Sequence, residues 1–171
     1  MLYASDKALS AVSSQGHFFN AHETLTQKLG LAGSSYELVA SIPAVLDYLG
    51  PDSWSAISSH EELLQKTLLE YLVQKPGVKV IGEESSDVNV RVSTVSFVVE
   101  GRNSRDVVES VEEKTGGEIG IRWGGFYSER LREEVLGLSK DGVVRVSMVH
   151  YNTGKLCPRY DSPCVDVANT L

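Results

Sequence analysis

The chain has little of what would announce a chemistry directly. It holds two cysteines in 171 residues, Cys157 and Cys164, seven positions apart rather than at the C-x-x-C spacing of a zinc or redox site. Neither a metal site nor a chemical role for these thiols is read from them. No apolar run approaches the roughly 20 residues needed to span a bilayer. The N-terminus lacks a basic segment followed by an apolar core and a small-residue cleavage site. A cytoplasmic chain without membrane contact is therefore expected. Positive charge is scarce as well: 16 Lys plus Arg stand against 23 Asp plus Glu, a net charge of −7. That balance argues against a general phosphate-backbone binder, so no nucleic-acid partner is expected, although a local basic pocket stays open. Internal repeats and low-complexity segments are absent too.

What is present is a hydrophobic fraction of 42%, enough for one domain with a real core. The informative stretch is 143–153, V-V-R-V-S-M-V-H-Y-N-T. Period-two alternation places Val144, Val146 and Met148 on one face of a strand, and Val143, Arg145, Ser147 and Val149 on the other. Arg145 is the residue that needs explaining. Burying a guanidinium costs several kcal/mol unless an anion and hydrogen bonds offset it. Either a carboxylate of the protein meets it, or a ligand does, or the side chain snorkels to solvent from the strand end.

Taken in order, residues 1–4 are apolar and compatible with a strand, and Ser5-Asp6 offers a helix N-cap before Ala8, Leu9 and Val12. A start in mid-strand suggests that something upstream is missing, while a short edge strand would read the same way. The G-H-F-F-N loop at 16–20 carries His17, read as packing or capping. A short helix is expected over 20–29, stopped by Gly30. The small turn Ala32-Gly33-Ser34-Ser35 opens an apolar helix running through Tyr36 to Leu49, with Pro43 inside it. Its N–H groups and hydroxyls suit either ordinary capping or an anion.

A long amphipathic helix from Ser53 to near Gln74 is broken by Pro76-Gly77. Strands are expected over 78–82 and 91–99. Asn103 and Asp106 form a candidate capping box for a helix ended by Gly116-Gly117. A short strand over 118–122 runs into the glycine-rich aromatic loop W-G-G-F-Y. A helix over 128–136 should turn Leu131 and Val135 inward, and Asp141-Gly142 should make a tight turn. From residue 50 onward the order is helix, strand, strand, helix, strand, helix, strand. This is an α/β (α+β) arrangement, a small, mostly antiparallel sheet covered by helices.

Five segments, G-H-F-F-N, A-G-S-S-Y-E-L-V-A-S, R-V-S-T-V-S-F, G-I-R-W-G-G-F-Y and V-R-V-S-M-V-H-Y-N-T, in that order, resemble the C-terminal portion of the class V aminotransferases. Within these fold-type I, pyridoxal-phosphate-dependent enzymes, the resemblance is closest to the cysteine-desulfurase-like branch. It runs from about residue 2 to residue 153. It implies that Arg145 binds the α-carboxylate of an amino-acid substrate and that Arg122 is a second active-site arginine. It further implies that Gly33, Ser34 and Ser35 approach the cofactor phosphate of the neighbouring subunit, that residues 123–127 line the pocket, and that the intact protein is a homodimer with a large domain.

The pattern departs from the family in three places. The persulfide-forming cysteine of true desulfurases has no counterpart near Phe126-Tyr127. None of the eight lysines fits the Schiff-base role, which in the family lies just before the strand that the opening residues resemble. The partners of the cofactor ring lie still earlier. Residues 154–171 lack the expected closing helix. The resulting division is 1–50, the large-domain end and connecting helices; 51–153, the class V small domain; and 154–171, a divergent tail. Catalysis by the chain alone is not expected, because a pyridoxal enzyme needs the lysine both to hold the cofactor and to move a proton. The alternatives are a non-catalytic interaction module without cofactor, or an independent carboxylate-binding domain using Arg145 and Arg122.

Overall fold

The computed structural model describes residues 3–13, 24–29 and 35–153. The chain divides into two compact units, Met1–Gly50 and Pro51–Leu171.

Among the described residues the first unit holds three helices. Ser5 caps α1 (Asp6–Ala11) by accepting from the Ala8 N–H at 3.3 Å. In α2 (Leu25–Leu29), Lys28 donates to the Leu9 carbonyl at 2.7 Å and so ties the two helices together. Of the helix expected from residue 20, the residues before 24 lie outside the described ones, as does the G-H-F-F-N loop with His17. Ser35 caps α3 (Tyr36–Leu49), and Gly50, at φ 59°, closes it with its N–H on the Leu46 carbonyl. No residue of α3 is buried. Tyr36, Leu38, Val39, Ile42, Val45 and Leu46 are all exposed.

The second unit opens with α4 (Ser53–Gln74), whose Leu64, Leu68 and Leu72 recur at intervals of four and are buried together with Leu69. The first half of the helix is more open, and Trp54 is exposed. Lys75 to Gly77 turn the chain into β1 (Val78–Ile81). There follow β2 (Thr94–Val99), α5 (Ser104–Lys114), β3 (Arg122–Gly124), a π-helical turn (Leu131–Val135) and β4 (Val143–Ser147). The strands form one antiparallel sheet in the order β1-β2-β4-β3. A small antiparallel sheet with helices is the architecture expected from the pattern.

Register sorts the sheet into two faces. Val80 opposes Phe97, Phe97 opposes Val144, and Val95 opposes Val146, all buried. On this face α4 packs over β1 and β2 while α5 packs over β3 and β4, burying Val107, Val108 and Val111. Each large apolar side chain so buried contributes roughly 1.5–3 kcal/mol. Val144, Val146 and Met148 lie in this core, as alternation along β4 requires.

Four expectations shift. The second strand begins at Thr94 rather than Arg91, because the Arg91 guanidinium donates to the carbonyls of Glu83 and Thr94 and holds the preceding loop. The third strand is displaced from 118–122 to Arg122–Gly124, so it takes in part of the glycine-rich loop. The helix expected over 128–136 turns Arg132 inward and leaves Leu131 and Val135 exposed, because its last turn widens, with the Leu136 N–H reaching the Leu131 carbonyl at 3.0 Å.

The Asn103–Asp106 pair does not act as a capping box. Asn103 makes no side-chain cap, and its amide donates to Asp106 instead. The first N–H groups of α5 are taken by Asp141, from the turn before β4: one carboxylate oxygen accepts from Ser104 and the other from Arg105 at 3.3 Å. A carboxylate at a helix start is favoured by both hydrogen bonding and the helix dipole. Asp141→Ala is therefore expected to destabilise this unit by about 1–2 kcal/mol in urea denaturation, with Asp141→Asn losing less.

Candidate functional site

The second face of the sheet carries the polar chemistry. Its central row is fixed by register: Ile81 on β1 opposes Ser96 on β2, Ser96 opposes Arg145 on β4, and Arg145 opposes Arg122 on β3. Directly opposed residues of an antiparallel pair share a face and lie close, and like charges so placed repel. The two arginines resolve this differently. Arg122, on the edge strand, sets its Nη1 at 3.6 Å from Glu112 of α5 and at 3.1 Å from the Ile121 carbonyl. Arg145 has no carboxylate partner among the described residues, and its Nε is buried without any hydrogen bond.

What Arg145 does meet is a ring. Its Cζ lies 3.8 Å from the centroid of Phe126, a face-on cation–π contact. Beside it is a cavity of ≈150 Å³ between this sheet face and segment 124–138, its walls largely apolar: Ile81, Phe126, Leu131, Leu136, Leu138 and Val143, with Ser96, Ser128 and Arg132 as further members. A buried, unsatisfied guanidinium nitrogen at the edge of an apolar cavity suits a small anion able to approach in the guanidinium plane.

The segment forming the outer wall is held by Arg132, which is 5% exposed. Its Nε donates to Glu129 at 2.9 Å and its Nη1 to the Leu138 carbonyl at 3.1 Å. Its Nη2 serves both Glu129 and Glu133. The hydrogen bond to Glu129 dominates in holding this guanidinium above the ordinary arginine range, against the opposing effect of burial. Arg132 is thus saturated by its own neighbours where Arg145 is not. At the other end of the wall, Gly142 lies against Gly124, so close that a Cβ on Gly142 would run into the Gly124 carbonyl.

Backbone strain is concentrated in the same loop. Phe126 and Tyr127 follow one another in the left-handed region, at φ 49° and 60°. Non-glycine residues reach this conformation at a cost on the order of 1–2 kcal/mol each. Of the stretch expected to line the pocket, Gly124, Gly125 and Phe126 do so. Trp123 lies under the Arg105 guanidinium at 5.8 Å, and the Tyr127 side chain stands free in solvent. Asn152 closes a turn by accepting from the Val149 N–H at 2.7 Å, and its carbonyl lies 2.8 Å from His60 Nε2 on α4. The Y-N-T end of the segment is thereby fixed to the scaffold.

Among the cofactor residues implied by resemblance, Gly33 and Ser34 lie outside the described residues. Ser35 is described, and its hydroxyl is committed to the start of α3, accepting from the Leu38 N–H and donating to Glu37 at 3.3 Å. No lysine lines the cavity. Among the described residues no cluster of His, Cys, Asp and Glu could hold a metal ion, and no helix is long and apolar enough to cross a membrane. Around the cavity the described residues thus place a guanidinium and no lysine, and the Ser35 hydroxyl is already engaged at the start of α3. Sequence reasoning missed Glu112 as the partner of Arg122 and Arg132 as the keystone of the wall. Neither is separable from ordinary helix-surface charges by spacing alone.

Comparison with known proteins places this geometry in a class. The aminotransferase class-V family model matches residues 33–155. The chain belongs to that family. It is 53% identical over 156 residues to the aminotransferase-like protein FGM3 of Gibberella zeae, covering 90% of this chain and 38% of that protein. To the cysteine desulfurase-like protein ustD of Aspergillus flavus it is 40% identical over 156 residues, covering 89% of this chain and 35% of that one. The crystal structure of the cysteine desulfurase CsdA from Escherichia coli superimposes with a TM-score of 0.68 at 23% identity, over 98% of this chain and 40% of that one. The chain thus spans little more than a third of the length of these relatives and has the fold of a cysteine desulfurase fragment.

The exposed, strained Tyr127 provides a local test. Tyr127→Gly is expected to leave the melting temperature unchanged or raise it, whereas Tyr127→Val, β-branched in a left-handed position, should lower stability by about 1–3 kcal/mol.

Proposed function

We propose that this chain supplies the substrate-carboxylate half of a pyridoxal-phosphate-dependent enzyme of the cysteine-desulfurase-like branch of the class V aminotransferases, with an amino acid as substrate. The observation that carries this reading is the buried, unpartnered Nε of Arg145 at the edge of the cavity. A guanidinium held in its plane can meet a carboxylate through two parallel charge-assisted hydrogen bonds, a match that lysine cannot reproduce. Arg122, opposite in register, adds positive potential and is the second contact once an anion competes with Glu112 for it. Gly33, Ser34 and Ser35 are assigned to the cofactor phosphate on the family resemblance alone.

No catalytic step is assigned to these residues, since a lysine at the site is what the chemistry requires. The chain alone is proposed to be inactive, and activity to need the large domain and a homodimer, in the cytoplasm. The second reading, an interaction module without cofactor, draws on the uncovered apolar side chains of α3.

Titration of the purified chain with L-alanine and with propionate, followed by NMR or calorimetry, tests the main reading. Saturable binding that Arg145→Ala abolishes and Arg145→Lys weakens at least tenfold is expected. Absence of carboxylate binding by the wild-type chain would leave the interaction module. With pyridoxal phosphate and borohydride, no stoichiometric adduct at a single lysine is expected. Such an adduct would overturn the claim that the anchoring group lies elsewhere.

A further inference from the structure

We infer that Phe126 is the positioning residue for Arg145, the group that holds its guanidinium by one face and leaves its edge open to a ligand. This deepens the carboxylate reading of Arg145 and rests on it for the identity of the ligand, though not for the geometry of the free protein.

A guanidinium has two apolar faces and a rim that carries all five N–H donors. A contact that fixes it through a carboxylate or carbonyl uses up rim donors, as Glu129, Glu133 and the Leu138 carbonyl do at Arg132. Stacking on an aromatic ring uses only a face. At Arg145 the ring of Phe126 stands 3.8 Å from Cζ, and Nε is without a hydrogen bond. Ser96, opposite Arg145 on the neighbouring strand, is small and leaves the adjoining space open to the cavity. The apolar walls offer little that competes for the rim. Of the two lining arginines, one is saturated and the other is restrained without being satisfied.

The backbone points to the same assignment. Two successive left-handed residues without glycine would be unremarkable if both side chains were anchored by packing. Tyr127 is fully exposed, so nothing at its side chain compensates its conformation. The contact that the reversal secures is the Phe126 ring on Arg145. The adjoining Gly125 carries no side chain, and a Cβ there would force the Glu129 carboxylate to move. The loop is thus free of bulk where it passes the wall and bulky where it meets the guanidinium.

The test uses the full chain and three variants. Phe126→Leu keeps apolar bulk and removes the π face, Phe126→Tyr keeps both, and Phe126→Gly deletes the ring while relieving the left-handed strain. The first readout is the Arg145 Nε–Hε resonance, assigned with Arg145→Lys, in the ligand-free chain. A ring-current-shifted, slowly exchanging signal is expected in the wild type and in Phe126→Tyr. In Phe126→Leu and Phe126→Gly the shift should be lost and exchange should quicken, with the melting temperature of Phe126→Gly held or raised. The second readout is affinity for propionate and L-alanine: Phe126→Leu should weaken it about fivefold to thirtyfold, and Phe126→Tyr should stay within about twofold. An Arg145 signal in Phe126→Leu and Phe126→Gly that matches the wild type would overturn the positioning role. A wild-type chain whose Arg145 resonance neither carboxylate perturbs would overturn the carboxylate reading instead, while the ligand-free spectra still decide the role of Phe126.

Discussion

The pairing of β2 with β4 is the constraint on which the rest of the second unit depends. With Phe97 set against Val144 and Val95 against Val146, the apolar residues of both strands enter the helix-covered core, and Ser96 and Arg145 must share the opposite face. A slip of one residue would put Arg145 under α5 and Val144 in the cavity, exchanging every side chain between faces. The burial of Val144, Val95 and Phe97 therefore keeps the guanidinium on the cavity face of the sheet. Stability of the core and placement of the site are one arrangement.

Around this sheet the connections do work that the strands cannot. Asp141 caps α5 from the turn that leads into β4, so the helix start and the strand start are fixed by one carboxylate. Gly124 and Gly142 meet without side chains and close the sheet at the loop end. Arg132 gathers two carboxylates and two carbonyls and holds the outer wall against the sheet. These contacts are satisfied. The buried Nε of Arg145 stands out against them, because a buried donor without a partner costs about 1–3 kcal/mol and is rare in folded proteins.

Membership of the aminotransferase class-V family gives this feature a context. The chain spans 38% of one relative and 35% of another. The described residues hold a guanidinium whose Nε is buried without a hydrogen bond, a cavity beside it that no lysine lines, and a helix with exposed apolar side chains.

Much of this was legible from residue order. Alternation in β4 named both faces correctly, since a strand has period two whatever surrounds it. The leucine spacing of α4 and the glycines after α5 marked those elements because helix periodicity and left-handed glycine are local properties. The antiparallel sheet and the helix-strand order followed from the same signals, and the five motifs pointed to the family. Tertiary structure alone decided the rest. Asp141 displaced Asn103 as the cap, Glu112 took Arg122, and a widened helical turn buried Arg132 in place of Leu131. Each is a contact that a charged side chain makes with a group distant in sequence, or a change of helix phase, and neither leaves a periodic trace. The same holds for Phe126: its left-handed backbone and its seat on Arg145 arise where a loop passes over a strand nineteen residues further along the chain, a meeting that only the folded chain creates.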